Sequence, residues 1–402
     1  MQKKTDQGTL KSILKTSASS TALALLVSNA WAVNGIQMNG YGIKNAGMGG
    51  ASIALPLDAS APVNNPAGLG FVPTSYAVNL VTFNGNTTAS VGPAKLPDDT
   101  TVMGLEGGFA KVLNPEWTVG VTLSGGGAGS DYGAPMPLPP GTPVLGAAQN
   151  LKSSRKIAEI AHTAAWKPRA DLSLGLSVIY AKQELNSQGL VLAIPNVGMA
   201  AIPSHGTQSA SSWSARIGAL WNVTPELSLG TTYRSKTSMS AMSGYSQDIL
   251  MYSQGKVDLP SDYGIGAAWK VTPAVTLAAD WTQVNYAAVK ANQDPAGPLW
   301  NDQKIFKIGA AWELNPTWTL RAGYSKNNAQ IDSSRVVQNI LSPAIDNSHI
   351  AFGATMKLNG NSDISFSYDA APQRTLTGTG ASSGVSLEGH TQVLRLGYQS
   401  RF

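Results

Sequence analysis

Trp117-Thr118-Val119-Gly120-Val121-Thr122-Leu123-Ser124 sets large apolar side chains at odd positions and small or polar ones at even positions. A period of two belongs to a β-strand with one apolar and one polar face. The alternation returns in Leu172, Leu174, Leu176, Val178 and Tyr180 against Ser173, Gly175 and Ser177. It returns again in Ile364, Phe366 and Tyr368 against Ser365 and Ser367. Between such stretches a short turn with Pro, Gly or Asn recurs, and six copies stand out. They are Leu113-Asn114-Pro115-Glu116, Lys167-Pro168-Arg169-Ala170, Asn222-Val223-Thr224-Pro225, Val271-Thr272-Pro273-Ala274, Leu314-Asn315-Pro316-Thr317 and Leu358-Asn359-Gly360-Asn361. Trp166, Trp221, Trp269 and Trp312 precede four of them, and Trp117 and Trp318 follow two. Tryptophan beside turns, rather than mid-strand, is the arrangement of an aromatic girdle at a membrane interface.

Consecutive turns stand about 43 to 55 residues apart, room for two tilted spanning strands and a long loop. Six short turns separate seven hairpins, so the spacing predicts an all-β fold, a transmembrane antiparallel barrel of fourteen strands over residues 75–402. In such barrels the short turns face the periplasm and the long loops face outward. The last stretch, Leu394-Arg395-Leu396-Gly397-Tyr398-Gln399-Ser400-Arg401-Phe402, alternates up to Ser400 and ends in an aromatic residue, as a closing strand would.

Composition agrees. Charged residues make up 13% of the 402, about half the share in a soluble domain, while 43% are apolar. Forty-two Gly and 23 Pro follow no triplet period, which excludes collagen and favours many turns. Cysteine is absent, which excludes disulfides, thiolate metal sites, iron–sulfur clusters and cysteine nucleophiles together. Residues 1–32 read as a secretory signal: Lys3, Lys4, Lys11 and Lys15, an apolar core from Thr21 to Val27, then Ala30-Trp31-Ala32 as the cleavage site. Cleavage removes four Lys and one Asp and leaves 24 basic against 22 acidic residues, so no nucleic-acid partner is expected. No run of 18 apolar residues follows, and the spanning structure left is a closed barrel.

Residues 33–74 lack alternation and are rich in Gly, Asn and Ala, a composition suited to a compact plug in the barrel lumen. Here Gly35-Ile36-Gln37-Met38-Asn39, Gly47-Met48-Gly49-Gly50-Ala51 and Asn65-Pro66-Ala67-Gly68-Leu69 resemble the N-terminal hatch of the FadL-type outer-membrane transporters of long-chain fatty acids and aromatic hydrocarbons. The resemblance implies a fourteen-stranded barrel in the outer membrane of a Gram-negative bacterium and passive uptake of hydrophobic compounds. Long-chain fatty acids are the first expectation, aromatic hydrocarbons the alternative, and a general porin the reading that a dense plug argues against. It further implies a gate in the mature N-terminal segment, with Val33, Gly35, Gln37 and Asn39 as candidates. It also implies a kink of the third strand opening the wall sideways, for which Gly125, Gly126 and Gly127 are the candidates.

Two loops carry apolar runs, residues 186–210 and 239–252, as a surface that captures an apolar ligand or packs as a lid would. Extending the alternation from the Trp and Leu anchors places Glu106, Glu159, Arg216, Arg234, Asp280, Lys307, Arg321 and Arg395 on the lumen face. Lys307, Arg321, Arg216 and Arg234 are the candidates to meet a ligand carboxylate, against the alternative that these charges pair with one another or with the plug. Gly380-Ala381-Ser382-Ser383-Gly384 matches the nucleophile-elbow pattern but lies in an expected outer loop, away from any strand-to-helix turn. The four His lie far apart without metal-ligand spacing, and His162 falls on the lipid-facing parity. No enzyme activity, cofactor or metal is expected. The expected partners are a hydrophobic ligand and the surrounding outer-membrane lipid and lipopolysaccharide, with the chain a monomer.

Overall fold

The computed structural model describes residues 35–194 and 198–402. The expected signal segment and Val33 lie outside the described residues. Fourteen long antiparallel strands form one sheet. The first seven are β1 (Ser75–Val91), β2 (Ala94–Val112), β3 (Trp117–Pro135), β4 (Asn150–Arg169), β5 (Leu172–Gln188), β6 (Gln208–Asn222) and β7 (Leu227–Arg234). The others are β8 (Asp262–Thr272), β9 (Val275–Val284), β10 (Gln303–Glu313), β11 (Trp318–Asn327), β12 (Ser348–Lys357), β13 (Ser362–Ala370) and β14 (Val385–Arg401). Strand β1 pairs with β14 from Ser75 opposite Arg401 to Val91 opposite Val385, which closes the barrel. Closure lets strands cross hydrocarbon, because each backbone polar group there finds its partner in the wall. Among the described residues no helix is long and apolar enough to cross a membrane.

All six sequence-read turns join strands: β2 to β3, β4 to β5, β6 to β7, β8 to β9, β10 to β11 and β12 to β13. Outward positions carry the large apolar side chains, with Leu176, Ile217 and Phe352 about half exposed, while their inward neighbours Ser177, Arg216 and Ala351 are buried. This inverts the soluble pattern, since here the exterior solvent is lipid. Trp117 and Trp166 stack with ring centroids 6.2 Å apart beside the short turns. At the other end of the band Tyr180 lies 5.0 Å from Trp213. His162 is exposed between Val121 and Val178 on the lipid side; nothing in the structure explains it.

Candidate functional site

The described part of the plug, residues 35–74, is almost wholly buried and touches inward positions around the wall. Its short helices are Ile43–Ala46, Ala61–Val63 and Pro66–Phe71. Asn65 caps the last: its side-chain oxygen accepts from Ala67 N (3.1 Å), and Pro66 occupies the first turn, where a missing N–H does no harm. The Asn65 amide donates to Ile53 O (2.8 Å) within the plug and to Ala219 O (3.2 Å) on β6. Gly68 is buried in the same helix. The wall makes room: a Cβ on Gly218 would collide with the Asn65 side chain, and one on Gly175 with the backbone of Pro66 and Ala67. Gly309 and Gly323 do the same for the backbone of Met48 and Gly49.

Lumen charges hold this plug or one another. Lys307 Nζ donates to Asn39 O (2.6 Å), Arg395 to Gly40 O (3.1 Å), and Asp280 accepts from Ser52 N (2.7 Å) and Ile53 N (3.0 Å). Asn39 also donates to Asp369 (2.7 Å) and accepts from Ser325 (2.8 Å), so three strands grip one plug residue. Arg216 pairs with Asp262 (2.9 Å), Arg234 makes a fork onto Glu159, and Arg395 faces Glu106 at 3.4 Å. Arg321 donates to Thr355 (2.6 Å) three residues from Trp318, on the periplasmic side of the Gly323 contact. Each of the four head-group candidates thus has a neighbour within the protein, and Arg234 also donates to Thr237 (3.3 Å) at the start of the following loop. Between plug and wall, the cavity among Gln37, Tyr41 and Arg234 measures about 30 Å³ and that beside Lys307 about 50 Å³.

Above the plug the loops close on a shared apolar cluster that includes Ile36, Ile157, Met239, Met242, Tyr286 and Trp300. Residues Val191–Ile194, Gly198–Ala201 and Val144–Leu145 add a small three-stranded sheet of their own. Met239 and Met242 are buried, whereas Met251 and Tyr252 remain exposed, so the apolar loops form both a lid and an outward patch. Tyr286 accepts a hydrogen bond from Ile36 N (3.1 Å), and burial pushes its phenol up, which keeps it neutral. Gly35, with φ of 71°, packs against Tyr286 and Gln330; the left-handed backbone and the tight fit both require glycine.

The three glycines of β3 lie at a division of the wall. Strands β2 and β3 pair only from Val112 opposite Thr118 to Gly107 opposite Leu123. Beyond Leu123, β3 continues unbroken along β4, from Ser124 opposite Glu159 to Asp131 opposite Lys152. At Gly125, Gly126 and Gly127, β3 is therefore paired on the β4 side and unpaired on the β2 side. The plug lies on the freed edge: Gly127 N donates to Ile36 O (3.1 Å), and a Cβ on Gly126 would strike the same carbonyl.

One inward cation escaped the sequence reading. Arg155 on β4 sits opposite Ala128 and Leu185, both in the apolar cluster, and donates to Gln183 Oε1 (3.0 Å) and Val257 O (3.3 Å). Its hydrogen-bond acceptors are neutral oxygens of Gln183, Val257 and Asp258, and among the described residues it makes no ion pair with a carboxylate. The signal was present, since Arg155 shares the parity of Glu159. The nucleophile-like Ser382 is buried in a three-residue turn and bonds Ser334 O (2.9 Å), a packing role within the loops.

Residues 23–402 match the family described as outer membrane protein transport protein (OMPP1/FadL/TodX). Among solved structures, the toluene transporter TbuX of Ralstonia pickettii superposes with a TM-score of 0.67 at 17% identity, covering 90% of this chain and 99% of that one. The toluene transporter TodX of Pseudomonas putida gives 0.68 at 19% identity, over 92% of this chain and all of the other. A FadL homologue of Pseudomonas aeruginosa gives 0.68 at 16%, with the same coverage. At these identities the likeness shows the fold. A protein of Chlorobium limicola, described as uncharacterized and lying in the 5′ region of the phosphoenolpyruvate carboxykinase gene, is 45% identical over 62 residues. That match covers 15% of this chain and 30% of the relative's length.

Proposed function

Because the chain belongs to the OMPP1/FadL/TodX family of outer-membrane transport proteins for hydrophobic compounds, we propose that it takes up long-chain fatty acids by diffusion through the wall rather than through the plug. The observation that carries this is the position of Ile36, whose side chain belongs to the loop-side apolar cluster while its carbonyl bonds the edge of β3 at the gap. Movement of residues 35–39 would join the two places. A ligand taken from the loops would then leave beside residues 125–127 into the membrane. No coupled energy source is needed, because transfer from water to hydrocarbon is itself downhill.

Arg155 supports a carboxylate-bearing ligand. Its guanidinium lies at the cluster and holds only neutral acceptors, so an arriving carboxylate would supply a charge partner. Lys307, Arg321, Arg216 and Arg234 take the role of plug and wall supports in this reading. A second reading, uptake of monoaromatic hydrocarbons, is favoured by the aromatic lining of the cluster, where Tyr286 and Trp300 meet edge to face at 5.4 Å.

Uptake of radiolabelled oleate and toluene by cells lacking their own hydrophobic transporters tests both. Oleate entry that depends on Arg155, with small sugars excluded, is the expected result. Toluene entry alone would select the second reading. Free passage of sugars with neither ligand accumulated would leave a porin.

A further inference from the structure

On the outward face of β4, β5 and β6 the surface changes character along one row. Ile160, Tyr180 and Trp213 stand side by side in register. Toward the periplasm every outward residue of β5 is apolar or Gly-flanked apolar through Val178, Leu176 and Leu174, down to the Trp166 and Trp221 girdle on the flanking strands. Toward the outside the same face turns to Lys152, Lys156, Lys182 and Glu184. The Tyr180–Trp213 pair therefore marks the hydrocarbon boundary, and the lysines project at the depth of the outer-leaflet headgroups.

Two of the lysines are oriented by acids, Lys152 by Asp131 (2.5 Å) and Lys182 by Glu184 (2.8 Å). Lys156 lies between them, opposite Glu184 in register, and makes no ion pair among the described residues. Lys152 and Lys156 border a cavity of about 380 Å³ at the β2–β3 gap, whose wall adds Ser154, Asn186 and Thr207. The ammonium groups of Lys152 and Lys156, with hydroxyls and amides, stand around this hollow together with the Asp131 and Glu184 carboxylates, and Lys182 stands beside it on the same face. A basic patch at this depth, just above an aromatic belt, matches a phosphate on a sugar headgroup.

We propose that Lys152, Lys156 and Lys182 form a site for the phosphorylated headgroup of the outer-leaflet glycolipid, seating one such lipid beside the gap in the wall. Its acyl chains would run down the apolar outward face of β5, past Val178 and Leu176.

The test is native mass spectrometry of the purified full-length chain in detergent, offered bisphosphorylated lipid A or the same lipid with its phosphates removed. The native protein is expected to retain the phosphorylated lipid preferentially. The triple variant K152Q/K156Q/K182Q is expected to retain it roughly a hundredfold less, about fivefold for each lysine. The triple Lys→Arg variant, which keeps the charge, should bind like the native protein. Folding is checked by the faster migration of unheated barrel on a gel, and the single variant Lys156→Gln serves if the triple does not fold. Equal retention of the two lipids, or unchanged retention by the Gln variants, overturns the proposal. So does saturation of the site by inorganic phosphate with no preference for the lipid.

Discussion

The side-chain oxygen of Asn65 occupies the place where a Cβ on Gly218 would stand. Gly218 faces Gly175 in register across β6 and β5, and the pair leaves a hollow that receives the Asn-Pro-Ala stretch of the plug. A plug seated on wall backbone at such points is a part of the wall. It follows that Gly218→Val should displace Asn65, at about 1–3 kcal/mol for an overpacked site. The expected outcome is a lower midpoint for loss of the fast-migrating barrel form, together with increased sugar permeation in liposome swelling. Unchanged permeation would show that the plug tolerates displacement without leaking.

Asn65→Ala removes the helix cap and both carbonyl partners, and leaves Ile53 O and Ala219 O to find new donors. A loss of about 1–2 kcal/mol is expected from the cap alone. Asn65→Asp keeps the acceptor and loses both donated bonds, so it should fall no closer to the native protein than Asn65→Ala does in thermal unfolding followed by circular dichroism if the wall bond dominates. Recovery by Asp would instead assign the effect to the cap.

Arg155→Gln keeps a polar side chain but removes the charge. Oleate uptake should fall roughly tenfold, the size of one charge-assisted hydrogen bond, while toluene uptake stays unchanged. Lys307→Gln, by contrast, should alter both ligands alike, because Lys307 bonds the plug at Asn39 O. Equal losses of oleate and toluene in Arg155→Gln would place Arg155 among the structural cations.

Tyr286→Phe deletes the acceptor of Ile36 N and frees the start of the described plug by about 1 kcal/mol. Faster hydrogen exchange at the Ile36 amide is expected, with the amides of Ala67 and Gly68 unchanged. Faster exchange throughout residues 35–74 would mean that the plug moves as one body.

The number of strands, the six turns, the parity of the lumen charges and the plug segment were all readable from the sequence, because each rests on local chemistry. A strand in a barrel wall must alternate, since one face meets lipid and the other the lumen, and a turn must carry residues whose backbone bends. Even Arg155 was within reach of that parity, two pairs beyond Glu159 on the same strand.

What only the tertiary structure decided are the relations between segments far apart in the chain. Sequence parity places Lys307 in the lumen but not against Asn39, 268 residues away, and marks Gly127 as permissive but not as the donor to Ile36. The sequence by itself determined a closed, lipid-facing barrel with a plug, because alternation and turns are properties of neighbouring residues. Which charges support the plug, where β2 leaves β3, and what fills that edge depend on how a compact segment packs against a curved wall, and no local pattern encodes that fit.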